Sequence, residues 1–266
     1  MNCSIFKIIC SLAFAALFVS SCSNKELNPD DNGKQDDNGK NPSYNYSFPI
    51  PEAIDLGLSV MWASFNLGAS KPEVFGDYFA WGEVLPYYEP GYAQADSVVW
   101  RKHMSNGYYW SSYKWCNNWN VSPEKLTKYN TLPSHGIVDN KTELDLEDDA
   151  AYVNLGEHWR IPTKQQWLEL ILYCTYTSDC VNGVNGYRFT SKKDGYTDKS
   201  IFFPLAGDRS GKRLYHIHDT YVYYGASAIN EKFPGLAWRC LMNSMEANVG
   251  DHTRTIGIPI RPVYTK

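Results

Sequence analysis

The chain has 266 residues and a formal net charge of −4. A weakly acidic chain without a lysine and arginine cluster is a poor match to nucleic acid, whose binding rests on neutralising phosphates. Its outlying feature is aromatic content, with 20 Tyr, 9 Trp and 11 Phe; such residues favour strands and, where exposed, make surfaces that stack on sugars or grip proteins.

Residues 1–21 read as a secretory signal, with Lys7 as its basic start and a short apolar run ending in small residues. The run is too short to span a bilayer. Small residues directly before Cys22 resemble the lipobox of bacterial lipoproteins, and the resemblance implies a chain cut before Cys22 and tethered to the outer membrane by lipid on that residue. Residues 22–48 form an Asp, Asn, Gly and Lys-rich tether in which DDNGK occurs twice, at 30–34 and 36–40. Such a stretch cannot bury enough apolar surface to offset its chain entropy, and about 25 flexible residues reach roughly 25–30 Å. Lys25-Glu26 and the acidic pairs resemble the export signals of lipoproteins displayed on the cell surface.

Residues 49–266 then form one domain. From 54 to 83 short apolar runs alternate with Gly and Pro, which predicts short strands and tight turns. The densest aromatic and amide segment, YYWSSYKWCNNWN, lies in a long insertion before the first helix. Trp110, Tyr113, Trp115, Asn117, Asn118 and Trp119 there are the candidate ligand-binding residues, because ring faces with amide donors suit a sugar or a peptide. A loop packed by its own aromatics is the competing reading. Asp77 and Glu83 are the acidic residues embedded among aromatics.

A first helix is expected near 143–156, with Leu146, Ala150 and Val153 on one face, Asp145 as cap and Gly156 at its end. The acidic group Asp145, Glu147, Asp148 and Asp149 lacks the alternating ligands and central glycine of a calcium loop. A second helix follows HWRIPT: Thr163 caps it, Gln166 completes a capping box, and Trp167, Leu170, Ile171 and Cys174 share a face. Pro162 forces the strand at 159–161 to turn before that helix begins. Strands are expected at 200–209, 220–229, 236–242 and 256–264, the last at an edge or bulged because of Pro259 and Pro262. Two helices among many short strands indicate α+β, with a mixed or antiparallel sheet.

Cys116, Cys174, Cys180 and Cys240 lie in the domain, and an exported domain can oxidise them. Cys174 and Cys180 are the expected bridge. His216-x-His218-Asp219 could offer metal ligands but lacks a fourth. With no phosphate loop, nucleophile elbow or zinc helix motif, the sequence assigns no catalytic residue, no metal and no cofactor.

The blocks AIDLGLSVMWASFNLGA, GDYFAWGE, YKWCN, HWRIPTKQQWLEL, FFPLAGDR and IRPV resemble, in that order, those of the Fibrobacter major paralogous domain (FISUMP) family. The W-R-hydrophobic-P-T block is also similar to the formylglycine-generating, sulfatase-modifying-factor-like proteins, which implies a C-type-lectin-like fold. In that enzyme family a cysteine pair does the chemistry, whereas here AWRCLM offers Cys240 alone, with Arg239 beside it. Glu89-Pro90-Gly91 likewise lacks the third residue of a calcium-dependent sugar site. The resemblance implies a lipid-anchored, surface-exposed outer-membrane protein that recognises a glycan or a protein without catalysis. The other readings are a degenerate or novel enzyme on that fold and a structural or adhesin component of a surface appendage.

Overall fold

The corner at residues 158–170 is built as its sequence requires. Strand β4 (Trp159–Arg160) ends just before Pro162, and helix α2 (Lys164–Tyr173) starts directly after Thr163. The Thr163 hydroxyl accepts the Gln166 amide at 3.2 Å, and Gln166 accepts the Thr163 amide at 2.8 Å. Two helix-end donors are thereby satisfied. Trp167 and Leu170 point inward, with the Trp167 ring 4.7 Å from that of Trp62.

The computed structural model describes residues 47–100, 107–117, 125–217 and 221–266, which belong to the unit Ser47–Lys266. Cys22 and residues 23–46 of the tether lie outside the described residues, whereas Phe48, at its expected end, is buried against Phe79. In chain order the remaining elements are β1 (Ala53–Ile54), β2 (Met61–Ala63), β3 (Tyr78–Phe79), helix α1 (Ala150–Leu155), β5 (Cys174–Val181), β6 (Val184–Ser191) and β7 (Ser200–Pro204). They are followed by β8 (Asp208–Ser210), β9 (Arg213–Tyr215), β10 (Val222–Ile229), β11 (Leu236–Met242), β12 (Ala247–Thr253), β13 (Ile258–Pro259) and β14 (Val263–Tyr264). All their pairings are antiparallel. The fold is α+β, mostly antiparallel sheet with two helices among the described residues. None of these helices is long and apolar enough to cross a membrane.

The main core lies between α2 and two three-stranded sheets, β5-β6-β7 and β10-β11-β12. Trp62, Trp167, Phe189, Phe203, Tyr224 and Met242 meet there. The C-terminal strand β14 sits between β2 and β4 in the sheet β1-β2-β14-β4. The segment is split: β14 is interior, whereas β13, which carries Pro259, pairs only with β3 and is an edge strand, and Pro262 lies between the two.

Arginine stands in for missing regular structure. Arg261, fully buried, donates to Asn66 Oδ1 at 2.9 Å and to the carbonyls of Ala63 and Phe202. Its pKa falls to about 10 because burial disfavours the charge. Arg254 binds the Tyr113 hydroxyl and the carbonyls of Tyr129 and Pro234, and Arg209 the carbonyls of Ala93 and Ala95. Arg254 and Arg209 thus satisfy loop carbonyls, and Arg261 ties carbonyls of β2 and β7 together.

Two expectations change. Helix α1 is capped by Asp149, whose carboxylate accepts from the amides of Ala151 and Tyr152. Asp145 instead precedes a 3-10 turn at Leu146–Asp148, and its side chain caps nothing. The same Asp149 accepts the Ile161 amide at 2.9 Å, so one buried carboxylate fastens the helix to the end of β4. Leu146 and Val153 are exposed, and Ala150, Ala151 and Leu155 make the buried face.

The local bridge is absent as well: Cys174 is a free thiol, as is Cys240. Cys174 and Cys180 lie at opposite ends of one extended strand, about 20 Å apart at the usual rise, and a bridge needs Cα atoms within about 7 Å.

Candidate ligand-binding site

The aromatic insertion turns its rings largely inward. Trp110 opens a 3-10 turn (Trp110–Ser112) and meets Tyr113 edge-on at 5.6 Å. Tyr113 is buried; its hydroxyl donates to the Trp81 carbonyl at 2.6 Å and accepts from Arg254 Nε at 2.9 Å. Trp115, half-buried, donates its indole N–H to the Gly82 carbonyl at 3.0 Å. The ammoniums of Lys114 and Lys128 lie 4.2 and 5.0 Å from its ring. Asn117 is exposed, and its amide donates to the Lys125 carbonyl. Asn118 and Trp119 lie outside the described residues. The structure therefore brings Trp110, Tyr113 and Trp115 together as a packed wall, with Asn117 at its rim.

Charges behind this wall are mutually satisfied. Asp148 receives Lys128 at 2.6 Å, Lys114 at 3.0 Å and the Tyr129 hydroxyl at 2.7 Å. Burial opposes its charge, but these bonds outweigh burial and hold the carboxyl below its usual range. Oxygens of Asp145, Glu147 and Asp148 lie within 4.8 Å of one another, yet Lys128 reaches all three carboxylates and Lys141 also pairs with Asp145. Lysines already occupy the place a cation would take.

Glu83 is buried, accepts the Tyr87 hydroxyl at 2.5 Å and the Lys114 amide at 2.8 Å, and is pushed up to about 7, mainly by burial. Asp77 is buried beside Gly68. Cys240 is sealed in the main core, and burial pushes its thiol well up, the opposite of what an activated thiol needs. His216 bonds Asp208 through Nδ1; His218 and Asp219 lie outside the described residues.

A concave feature lies elsewhere, at the N-terminal end of α2. A cleft of about 390 Å³ is bounded by Lys164 and Gln165 of α2, Glu143 from the insertion, Asn230 and Glu231 from the β10–β11 turn, and Trp238 of β11. The Trp115 wall backs it, for Trp115, Trp81 and Tyr129 pack on Ile229 and Ala237. Glu143 is fixed by the Ser227 hydroxyl at 2.7 Å, and Thr131 reaches across to the Glu231 carbonyl at 2.6 Å. Asn230 holds the turn, accepting the amides of Lys232 and Phe233 and donating to Asp251. The Lys164 ammonium lies 3.3 Å from the Trp238 ring centre, a cation–π contact that fixes the indole.

The cleft thus offers an indole wall, amides and both charge signs within reach of one small polar ligand. Sequence reading missed it because its residues come from separate segments, near 142, 164, 230 and 238. The one local signal is a Trp in a strand beside a turn.

Compared with family models, with curated proteins and with solved structures, the chain finds no match.

Proposed function

We propose that this chain is a recognition module, lipidated at Cys22 and displayed on the outer face of the outer membrane, that binds glycan through the cleft at the start of α2. A C-type-lectin-like arrangement and kinship with the FISUMP lipoproteins belong to the same proposal. They rest on the ordered sequence blocks, and the α+β architecture agrees with them.

The observation that carries the reading is the cleft itself. It joins an indole with hydrogen-bonding groups of every kind, held in place by Ser227, Thr131 and the Asn230 turn. That is the equipment for an uncharged polyhydroxyl ligand, which needs many modest hydrogen bonds and an apolar face to stack on. The burial of Cys240 weighs against the thiol chemistry of formylglycine-generating proteins.

The test is a glycan array probed with the full chain, with and without calcium, beside the double variant Gln165→Ala/Glu231→Ala. Both positions are exposed, so the variant keeps its fold. Binding by the wild type that the variant loses supports the reading. Absence of glycan binding, or binding the variant retains, overturns it.

A further inference from the structure

The cleft at the start of α2 crosses three neighbouring backbone segments, and their order across the sheet decides what faces what. Glu143 makes an antiparallel bridge with Ala228 of β10; beside it the Ile229 amide donates to the Thr142 carbonyl at 2.9 Å and the Leu144 amide to the Ser227 carbonyl at 3.1 Å. On its other side β10 pairs with β11, which carries Trp238. Glu143, Ala228 and Trp238 all line the cleft. Glu143 therefore stands on one flank, Ala228 in the middle and Trp238 on the other flank. Neighbouring strands lie about 4.8 Å apart, which sets the two flanks about 10 Å from each other.

Two polar side chains on these flanks are fixed and still have bonding capacity. Glu143 is held through Oε2 by the Ser227 hydroxyl, which leaves its Oε1 without a partner among the described residues. The Lys164 ammonium rests 3.3 Å from the centre of the Trp238 ring and, among the described residues, donates to no oxygen. Asn230, by contrast, is engaged at both ends: its side-chain oxygen accepts the Lys232 and Phe233 amides, and its nitrogen donates to Asp251. Gln165, Glu231 and Lys232 are exposed and supply further hydrogen bonds to whatever the fixed pair selects.

An anchored acceptor thus faces an anchored donor across a floor whose side chain, that of Ala228, is a single methyl. A carboxylate placed between them meets the like charge of Glu143, and an ammonium meets that of Lys164. A hydroxyl donates and accepts at one oxygen and so serves one flank at a time. A secondary amide donates on one side and accepts on the other. With a hydrogen bond of about 2.9 Å at each end it spans roughly 8 Å, close to the gap between the flanks.

We infer that the cleft selects an N-acetylated amino sugar: the acetamido N–H donates to Glu143, its carbonyl accepts from Lys164, and its methyl rests on Ala228. The inference rests on the proposed glycan reading of this cleft and narrows it to one sugar class.

The experiment is calorimetric titration of the full chain at pH 7 with two matched pairs, triacetylchitotriose against cellotriose and methyl N-acetylgalactosaminide against methyl galactoside. Acetyl-trialanine amide, which has amides and no sugar, is the peptide control. At least one acetylated sugar binds tenfold or more tighter than its matched partner and than the peptide. Glu143→Ala and Lys164→Met, which each remove one hydrogen bond at a side chain open to solvent, weaken that sugar by about tenfold. Ala228→Val fills the methyl seat with a residue that suits a strand, and the sugar no longer binds at an unchanged melting temperature. Failure of both acetylated sugars to bind, equal binding of a matched partner or of the peptide, or undiminished binding by folded Glu143→Ala or Lys164→Met overturns the inference. If the glycan array shows sugars without an acetamido group bound by the wild type and lost in Gln165→Ala/Glu231→Ala, the glycan reading stands and this inference alone falls.

Discussion

The Tyr87 hydroxyl lies 2.5 Å from Oε1 of Glu83, and both side chains are shut away from water. The Tyr87 ring stacks on Tyr108 at 4.6 Å and 9°, so the carboxyl sits at the bottom of an aromatic wall.

Glu83 makes stability fall as pH rises. Its folded pKa is raised, to about 7 from 4.5, so the folded state binds its proton more tightly than the unfolded chain does. The contribution is complete below about 4.5 and is lost as pH climbs through about 7, in total about 3 kcal/mol. Glu83→Gln, which keeps an acceptor for Tyr87 and the Lys114 amide, should flatten the dependence between pH 5 and 8 and raise stability at pH 8. Thermal melts across that range check it, and an unchanged slope contradicts it.

Asp149, not Asp145, is the cap of α1. Asp149→Ala removes acceptors from Ala151, Tyr152 and the buried Ile161 amide, a loss of about 2–4 kcal/mol. Asp145→Ala breaks only partly exposed ion pairs, a loss of about 1 kcal/mol or less. Urea denaturation of the two variants separates these outcomes.

Arg254 holds the insertion onto the domain. Arg254→Met strips partners from the Tyr113 hydroxyl and from the carbonyls of Tyr129 and Pro234, a loss of about 3 kcal/mol or more. Hydrogen exchange should rise first in 107–117 and 125–140, with β5 and β6 still protected. Uniform loss of protection contradicts this account.

Thiol labelling under native conditions should spare Cys174 and Cys240. Burial pushes Cys174 up to about 11 and Cys240 further, and neither is open to solvent. Both should react once the chain is unfolded in denaturant. Fast native labelling of Cys240 would revive the thiol-enzyme reading.

Local chemistry was legible where it is self-contained. The Thr163–Gln166 box lies within four residues and needs no distant partner, and the sequence identifies it correctly. The α1 cap is displaced because several acids precede that helix, and only tertiary contact with Ile161 selects Asp149 among them. The β5–β6 hairpin carried its own signal, Asn182-Gly183, with φ of 49° and 85°, the pair that a tight hairpin turn favours. Its strands went unassigned because their apolar alternation is weak, with one face of β5 largely exposed. The aromatic insertion was found, but not its direction: composition cannot tell a ring that faces water from one that packs on Arg254. The cleft is assembled from distant strands and turns, which no window of sequence contains.

The most direct test of the central claim is the glycan array read with wild type and Gln165→Ala/Glu231→Ala side by side. The account predicts a defined set of glycans bound by the wild type and lost in the folded double variant. A wild type that binds none of them, or a variant that binds them equally, contradicts it.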